Sequence, residues 1–434
     1  VMKFTSPKVF VPALLVVFAA SGLPVHAVQE STQQAEPAPD SSPLESIQSW
    51  ETGTVTRVVD GDTMLVQDDV TGVESRIRFI GINAPEINGK DHGGQCGGWQ
   101  AKAALEGLSP VGTKVRLASL DPASKGLNAR PQRTVIAWNP ITEEFDQDLA
   151  WAMAERGWGH WFTVPNEAAM SSLYRDVIKS AQQRQVGIWN PQLCGEFEQP
   201  DANILLRVNR ATSSVANDEY VTVRNLGVES VDLSGWRIRD TGNSALFTFP
   251  GGSILAPGDY RIMRTGKGRS GGSDGRTLFI GKKKPVYQDP GSGQYLVGDA
   301  VYLLDRFGNY RFTREYPCHN GCELDPLEGG VVISEVSLGK KKGATRAATQ
   351  YVRLLNQSAT VQCLDGYRLE TGNNVFRFEP GTCLQPGATW TLRGGKGAST
   401  SSDRFLSRKS PFLWLNSSLT LISDREQVMG QRTW

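Results

Sequence analysis

The residues best suited to chemistry lie within one short stretch, Thr54 to Glu86. An acidic turn, Asp60-Gly61-Asp62, separates two strand-like runs, and a third run carries Arg78. That run ends at Asn83-Ala84-Pro85-Glu86, where proline interrupts the hydrogen-bond ladder and leaves a carboxylate beside the strand end. Oxygen ligands bind Ca²⁺, and a guanidinium group binds phosphate oxygens through two hydrogen bonds. The stretch is a candidate site for chemistry on a phosphate, although a plain hairpin with a surface arginine has the same residue types.

The order of these residues resembles the staphylococcal-nuclease (thermonuclease) family. The family has a V-x-D-G-D-T turn, matched from Val58 to Thr63, and an R-x-x-x-(I/V)-D-x-P-E strand end, matched from Arg78 to Glu86. The resemblance covers roughly Glu51 to Cys194. It implies an OB-type five-stranded barrel with three helices. It also implies an enzyme that uses Ca²⁺ to hydrolyse phosphodiester bonds of DNA and RNA, leaving 3′-phosphate ends.

The same resemblance implies a calcium site. Asp62 matches a calcium-ligand aspartate of the family, and the backbone carbonyl of Ala84 is a further expected ligand. Asn83 stands where the family usually has a second aspartate, so one negative charge is lost while an amide oxygen remains. Calcium affinity depends on the ligand charge count, and we expect it to be lower here, with Asp60 compensating in part. A weakened site and a lapsed site both stay open.

Three residues match the catalytic positions of the family. Glu86 matches the glutamate that activates the attacking water, and Arg78 and Arg133 match two arginines that contact the phosphate. A metal ion and two guanidinium groups would stabilise the charge that develops on a pentacoordinate phosphate. The strand after Arg133 (TVIAW) favours that residue as the second arginine. Arg130 is the alternative, because the preceding loop departs from the usual Tyr-Gly-Arg of the family.

Aromatic residues cluster around His160. Trp158, Trp161 and Phe162 match the region in which the family stacks a base on an aromatic ring. A core cluster beneath the second helix would have the same composition, so both interpretations stay open.

Composition and the amino terminus limit the class of protein. The chain has 434 residues, which predicts two to four domains, and 46 Lys and Arg nearly balance 45 Asp and Glu. Bulk charge therefore gives no sign of a nucleic-acid-binding protein. Residues 1–27 read as a signal peptide with the apolar run Val9–Ala20, and residues 28–49 read as a disordered linker. We expect an exported protein, periplasmic or extracellular, without a transmembrane segment in the mature chain.

The second half of the chain contains an internal repeat. Tyr220-Val221 matches Tyr351-Val352, and the run from Leu233 to Trp236 matches that from Leu364 to Tyr367. The pattern predicts two immunoglobulin-like β-sandwiches without a convincing helix, at residues 201–317 and 328–434. The first copy resembles the lamin-tail domain and the second is more divergent. Such domains act as accessory modules, so possible partners are DNA, proteins or envelope components.

Basic loops accompany both copies. Lys282-Lys283-Lys284 and Lys340-Lys341-Lys342 could hold a nucleic-acid backbone by releasing its counterions, or they could simply be solvated.

Six cysteines in an exported chain predict disulfides. Spacing alone leaves fifteen pairings open. Exported members of the nuclease family imply one pair, the repeat alignment implies another, and the linker motif PCHNGC permits a local third bridge. A zinc site at the linker motif lacks a matching second ligand pair. The pairs that we expect are Cys96–Cys194, Cys363–Cys383 and Cys318–Cys322.

These observations predict a mainly β, multidomain chain with a nuclease-like barrel at residues 50–195 and two sandwiches. The main hypothesis is an exported Ca²⁺-dependent nuclease acting on DNA and on RNA. The alternative is a non-catalytic nucleic-acid or cell-envelope binding protein with a lapsed metal site. We further expect a chain ending near Cys194 to keep cleavage and to bind long DNA more weakly.

Overall fold

The computed structural model describes residues 44, 47, 49–88, 94–126, 129–211, 214–242, 245–271, 275–287, 298–317, 325, 327–339, 344–414 and 417–434. The segment from 43 to 434 forms one compact unit. It is mainly β, with a closed five-stranded barrel followed by two sandwiches, as the sequence predicts. The predicted signal peptide, the Cys318–Cys322 pair and the lysine cluster at 340–342 lie outside the described residues. None of the described helices has the length and apolar character needed to cross a membrane.

The barrel is a sheet of five strands, in the order β3-β2-β1-β5-β6, that closes on itself. β1 pairs with β2 and β5, β2 with β3, and β5 with β6, while β6 returns to pair in parallel with β3. That last pairing closes the ring of five strands; β7 extends the sheet beyond β6, and β4 and β8 form a separate two-stranded ladder. The strands of this part are β1 (Glu51–Asp60), β2 (Thr63–Asp68), β3 (Glu74–Phe79), β4 (Ile82–Asn83), β5 (Lys114–Ala118), β6 (Gln132–Asn139), β7 (Glu144–Asp148) and β8 (His160–Trp161).

The acidic turn sits against the barrel core. Alternate residues of β1 and β2, among them Val55, Val58 and Met64, are buried. The turn between these strands brings Gly61 against α1 (Gly98–Leu108), where an added Cβ would lie 2.7 Å from the Cβ atoms of Ala84 and Ala101. Glycine is therefore required by this close approach, which holds the turn beside the segment that follows β3.

Three further helices follow β6, where the sequence predicts two, over 146–156 and over 166–183. The second predicted helix starts later, because 144–148 forms β7 and Asp148 caps α2 (Leu149–Glu155) by accepting from the N–H of Trp151 at 3.0 Å. The third is two helices, α3 (Ala168–Leu173) and α4 (Arg175–Gln183), which meet at the buried Tyr174.

The first sandwich has two four-stranded sheets and a two-stranded ladder. One sheet has the order β16-β15-β10-β9, the other β13-β12-β17-β18, and β11 pairs with β14. Its strands are β9 (Ile204–Asn209), β10 (Tyr220–Asn225), β11 (Val231–Asp232), β12 (Arg237–Asp240), β13 (Phe247–Thr248), β14 (Ile254–Leu255), β15 (Tyr260–Arg264), β16 (Thr277–Phe279), β17 (Asp299–Leu304) and β18 (Tyr310–Tyr316).

The second sandwich repeats this topology strand for strand, with sheets β19-β20-β25-β26 and β23-β22-β27-β28 and the ladder β21–β24. It also contains one helix, α5 (Ala344–Thr349), where the sequence predicted none. Its strands are β19 (Val331–Ser337), β20 (Tyr351–Asn356), β21 (Gln362–Cys363), β22 (Arg368–Thr371), β23 (Asn374–Arg377), β24 (Cys383–Leu384), β25 (Thr389–Arg393), β26 (Asp403–Phe405), β27 (Ser418–Ile422) and β28 (Val428–Thr433).

Two of the predicted disulfides are present in the described residues. Cys96–Cys194 joins the start of α1 to the segment after the barrel helices. Cys363–Cys383 bridges the directly opposed residues of β21 and β24. Both link segments that are distant in sequence and adjacent in the fold.

The barrel and the first sandwich share a hydrophobic core. Ala300, Tyr302 and Leu304, alternate residues of β17, pack with the barrel cluster, whereas Val301 and Leu303 between them belong to the core of the sandwich. Strand β17 is therefore apolar on both faces.

The two sandwiches meet through buried ion pairs. Arg207 and Arg314 of the first sandwich contact Asp325, in the segment between the sandwiches, and Asp424 of the second. All four side chains are nearly inaccessible to solvent. Buried pairs contribute little net stability but are costly to break, so they fix the orientation of the sandwiches.

Candidate functional site

The predicted site residues Asp62, Arg78 and Asn83 meet at the end of β3. The Nη2 atom of Arg78 donates to Asn83 Oδ1 at 2.8 Å and lies 3.1 Å from Asp62 Oδ2. The Nη1 atom donates to the carbonyl oxygens of Phe79 and Ile82 at 3.0 and 2.8 Å. The guanidinium group is thus buried and oriented by the chain that turns at Gly81.

Asp62 is a buried carboxylate in a crowded acidic environment. Its Oδ2 atom accepts from the N–H of Ala84 at 2.6 Å, and its Oδ1 atom accepts from Thr63 Oγ1 at 2.9 Å. Burial raises the pKa of Asp62 to about 7; Asp60 and Glu86 add to the rise, and Arg78 opposes it. Burial therefore makes this carboxyl group hold its proton more readily than an exposed aspartate does.

Glu86 lies at the mouth of the same site. Its backbone N–H donates to Gln95 Oε1 at 3.2 Å, and its carbonyl accepts from the N–H of Gln95 at 2.7 Å, which fixes this part of the loop. The side chain is exposed, yet its carboxyl group is enclosed enough that desolvation, together with Asp60, raises its pKa. Arg78 and Arg130 oppose that rise. The carboxylate therefore lies within the electrostatic reach of both arginines.

The donor set around Asp62 has the chemistry of a hard-cation site. Among the described residues, no group of three His, Cys, Asp or Glu side chains is arranged to hold a metal. Asp62 and Asn83 nonetheless direct two oxygens at one point, and the Arg78 guanidinium stands there as a positive group. Oxygen ligands around a cationic position fit Ca²⁺ in kind, with fewer carboxylates than a high-affinity site has.

Arg133 lies apart from this cluster. In the parallel ladder between β3 and β6, Arg78 is opposite Gln132, so Arg133 projects from the other face of the sheet. Its guanidinium is bonded to Glu51, with Nη2 to Oε1 at 3.1 Å, and to backbone carbonyls. Of the two candidates, Arg130 is the one whose charge acts on Glu86, as the charges of Arg78 and Arg239 also do. The register of one strand pair thus separates the two candidates for the second arginine.

The first sandwich contributes groups that the sequence reading missed. The Asn83 side-chain amide donates to the carbonyl oxygen of Thr241 at 3.0 Å. Arg239 from β12 is buried, and its charge lowers the pKa of Glu86. The signal in the sequence was the run DAVYLL in β17, whose continuous apolar character predicts a strand covered on both faces.

His160 and its aromatic neighbours divide between the two predicted roles. His160 is buried and contacts Tyr302 of the first sandwich, with ring centroids 4.8 Å apart, and Trp161 is a core residue. Burial, with Arg239 and Arg78 adding to it, lowers the pKa of His160 well below its usual range. Phe162 lies under the guanidinium of Arg78 at 5.0 Å and is part of the site. His160 is therefore a neutral core residue.

A cleft of about 590 Å³ opens beside Glu86, between the barrel and the first sandwich. Two arginines and three aromatic residues are among the side chains of its walls, and Trp99 is 65% exposed. Residues that line it include Pro85, Gln95 and Trp99 from the barrel and Arg237, Arg239 and Tyr310 from the sandwich. Its size is within the roughly 300–1,000 Å³ typical of small-ligand sites.

Comparison with known proteins identifies both sandwiches. The family model of the lamin tail domain matches residues 201–317 and 326–434, which is just over half of the chain. No curated protein matches the sequence significantly. The matched residues coincide with the repeated pair of sheets and do not include the barrel. The chain therefore belongs to the lamin tail domain family.

Proposed function

We propose that the protein hydrolyses phosphodiester bonds of DNA and of RNA, with its reaction site on the nuclease-like barrel. The observation that carries the proposal is the meeting of Arg78 with Asp62 and Asn83 beside Glu86. A carboxylate that can take a proton, a guanidinium that can bind phosphate, and oxygens suited to a cation are the groups that phosphodiester hydrolysis needs.

Glu86 is the general base in this proposal. A carboxylate is a better base when its pKa is raised toward the working pH, and desolvation at the mouth of the site has that effect on Glu86. Its position at the surface gives water access to the carboxyl group. Water attacks the phosphorus while its proton passes to Glu86, and the P–O5′ bond breaks. The 5′-oxygen leaves and takes up a proton from solvent, so the expected products carry a 3′-phosphate and a 5′-hydroxyl.

Arg78 stabilises the charge that develops on the phosphate. Its Nη2 atom exchanges Asp62 and Asn83 for phosphate oxygens, and Nη1 remains on the carbonyls that orient it. Arg130 is the better candidate for the second phosphate contact, because Arg133 is bonded to Glu51 on the other face of the sheet.

Asp62, the side-chain oxygen of Asn83 and the carbonyl of Ala84 would hold Ca²⁺. When bound, the ion would supply positive charge that polarises the phosphate and lowers the pKa of a nearby water. The disulfides support a location outside the cytoplasm, in the periplasm or the medium. A protein or envelope component is a further proposed partner of the lamin tail domains.

The test is cleavage of single-stranded and duplex DNA and of RNA, with Ca²⁺ and with chelator. Glu86→Gln and Arg78→Ala should each lower the rate by about 10²–10⁴-fold, because each removes a group that acts in the transition state. Arg57→Ala, which alters an exposed arginine of β1, is the matched control and should leave the rate unchanged.

The second candidate is a nucleic-acid or envelope binding protein without catalysis. This function is favoured because Asp62 and Asn83 both contact Arg78. A metal ion would have to displace the guanidinium group in order to bind there. Binding of DNA without cleavage at any calcium concentration would support this function and overturn hydrolysis.

A further inference from the structure

Arg239 is a buried arginine whose hydrogen-bond donors are only partly satisfied within the described residues. Its side chain is 3% exposed; Nε donates to the carbonyl of Asp240 at 3.2 Å, and Nη1 donates to the Tyr310 hydroxyl at 3.5 Å. Within the described residues, the Nη2 atom is buried and has no hydrogen-bond partner. A buried polar atom without a partner calls for a ligand or another physical explanation, and for a cation the fitting ligand is an anion.

The position of Arg239 directs this charge to the cleft. Alternation along β12 places Ile238 in the sandwich core and Arg237 and Arg239 on the face toward the barrel, where both line the cleft. Pro85 and Ile87, on either side of Glu86, line the same cleft. The unused donor is therefore next to the proposed reaction site, on a different domain.

The opposite wall offers an aromatic surface. Trp99, in the first turn of α1, lines the cleft with its indole 65% exposed. Lys102 lies over the same indole, 5.7 Å from the ring centroid. Guanidinium donors that hold a phosphate, combined with an exposed ring on which a base can stack, are the features of sites for single-stranded nucleic acid.

We propose that this cleft is a subsite for one phosphate and one unpaired base of a single-stranded nucleic acid. The Nη2 atom of Arg239 contacts the phosphate, and Trp99 stacks on the base. The inference rests on the proposed function for its substrate class, and it assigns to the first lamin tail domain a direct part in substrate binding. A base in a duplex is covered on both faces by its neighbours, so the subsite selects single strands.

The test measures binding of a fluorescent oligothymidylate in chelator, so that cleavage plays no part. Arg239→Gln should weaken binding about tenfold or more, and Trp99→Ala should weaken it roughly 5- to 150-fold, the usual effect of losing one stacked base. The matched control is Arg269→Gln, an exposed arginine in the loop after β15, which belongs to the other sheet of the same sandwich. It should leave the affinity unchanged.

Folding and function are separated by further measurements. Arg239→Lys keeps a positive charge and should recover part of the affinity, and unfolding curves of each variant show whether the fold is retained. Equal affinity of wild type and Arg239→Gln, or equal affinity for duplex and single strand, would overturn the subsite. If the oligonucleotide binds as expected and no cleavage follows with Ca²⁺, the subsite stands and the hydrolase proposal fails.

Discussion

A single amide, that of Asn83, joins the candidate site to the first lamin tail domain. Its oxygen accepts from Arg78, while its nitrogen donates to the Thr241 carbonyl and lies 3.4 Å from His160 Nε2. The Nδ1 atom of His160 faces the carbonyl of Trp161 at 3.1 Å, which is the arrangement of a neutral ring protonated at Nδ1. An aspartate in place of Asn83 has no N–H group for either contact. These two contacts therefore explain why an amide, and not a carboxylate, is present at position 83.

We expect Asn83→Asp to destabilise the protein in chelator by about 1–3 kcal/mol, because the Thr241 carbonyl would face a carboxylate instead of a donor. The added charge should at the same time increase the stabilisation that Ca²⁺ gives. Urea unfolding of both proteins, with chelator and with calcium, measures the two effects. Asn83→Ala serves as the control that removes the amide without adding charge. An unchanged midpoint for Asn83→Asp in chelator would show that the amide–carbonyl bond contributes nothing.

Among the elements, α2 depends on a carboxylate with an unusual environment. The half-buried Asp148 caps the helix and accepts from the Tyr174 hydroxyl at 2.9 Å. Desolvation raises the pKa of Asp148 from 3.8 to about 6, against the lowering effect of these hydrogen bonds. Since the folded state binds the proton more tightly than the unfolded state, the contribution to stability is complete below 3.8 and is lost as the pH rises through about 6.

We expect Asp148→Asn to remove this dependence. Asparagine is also a good N-cap, so the helix should persist, and the variant should gain roughly 1–3 kcal/mol relative to wild type across the window. Unfolding free energies of both proteins at several pH values test the prediction. The matched control is Asp146→Asn, an exposed residue of β7. A difference between wild type and Asp148→Asn that does not vary with pH would contradict the raised pKa.

Elements also show how far the sequence could be interpreted. The Asp-Gly-Asp turn, the strand that carries Arg78 and the repeat of the sandwiches were predictable, because each depends on local alternation and turn residues. The separation of Arg133 from Arg78 was not, because it depends on the register of β6 against β3, and a shift of one residue reverses the face. Arg239 was missed because it lies in a domain whose docking leaves only a weak signal in the sequence.

At the scale of the molecule, the barrel and the first lamin tail domain are built as one body. Trp189 of the barrel packs edge-on against Tyr310, with centroids 5.0 Å apart, and His160 and Tyr302 stack beside them. The side-chain amide of Gln182 donates to the Thr313 hydroxyl, and Asn309 accepts from the N–H of Cys194. This junction bears on the expectation that a chain ending near Cys194 keeps cleavage.

We now expect a chain of residues 50–195 to be less stable than one of residues 50–317, because truncation exposes the apolar surface around Trp189 and His160. A large exposed apolar patch also promotes self-association. Thermal unfolding and sedimentation of the two chains measure both consequences. The longer chain keeps the junction and serves as the control. A monomeric short chain with the melting temperature of the longer one would show that the domains are independent.

Strand β17, apolar on both faces, limits how this domain can be placed in another protein. A sandwich whose outer sheet faces solvent has polar residues on that face and keeps its core within the domain. Here the outer face carries Ala300, Tyr302 and Leu304, so a copy transferred to another chain would need a new cover or a polar outer surface. The same three positions therefore distinguish two kinds of lamin tail domain. Apolar residues there indicate a copy whose outer sheet packs against another domain, and such a copy would expose an apolar face in a different chain.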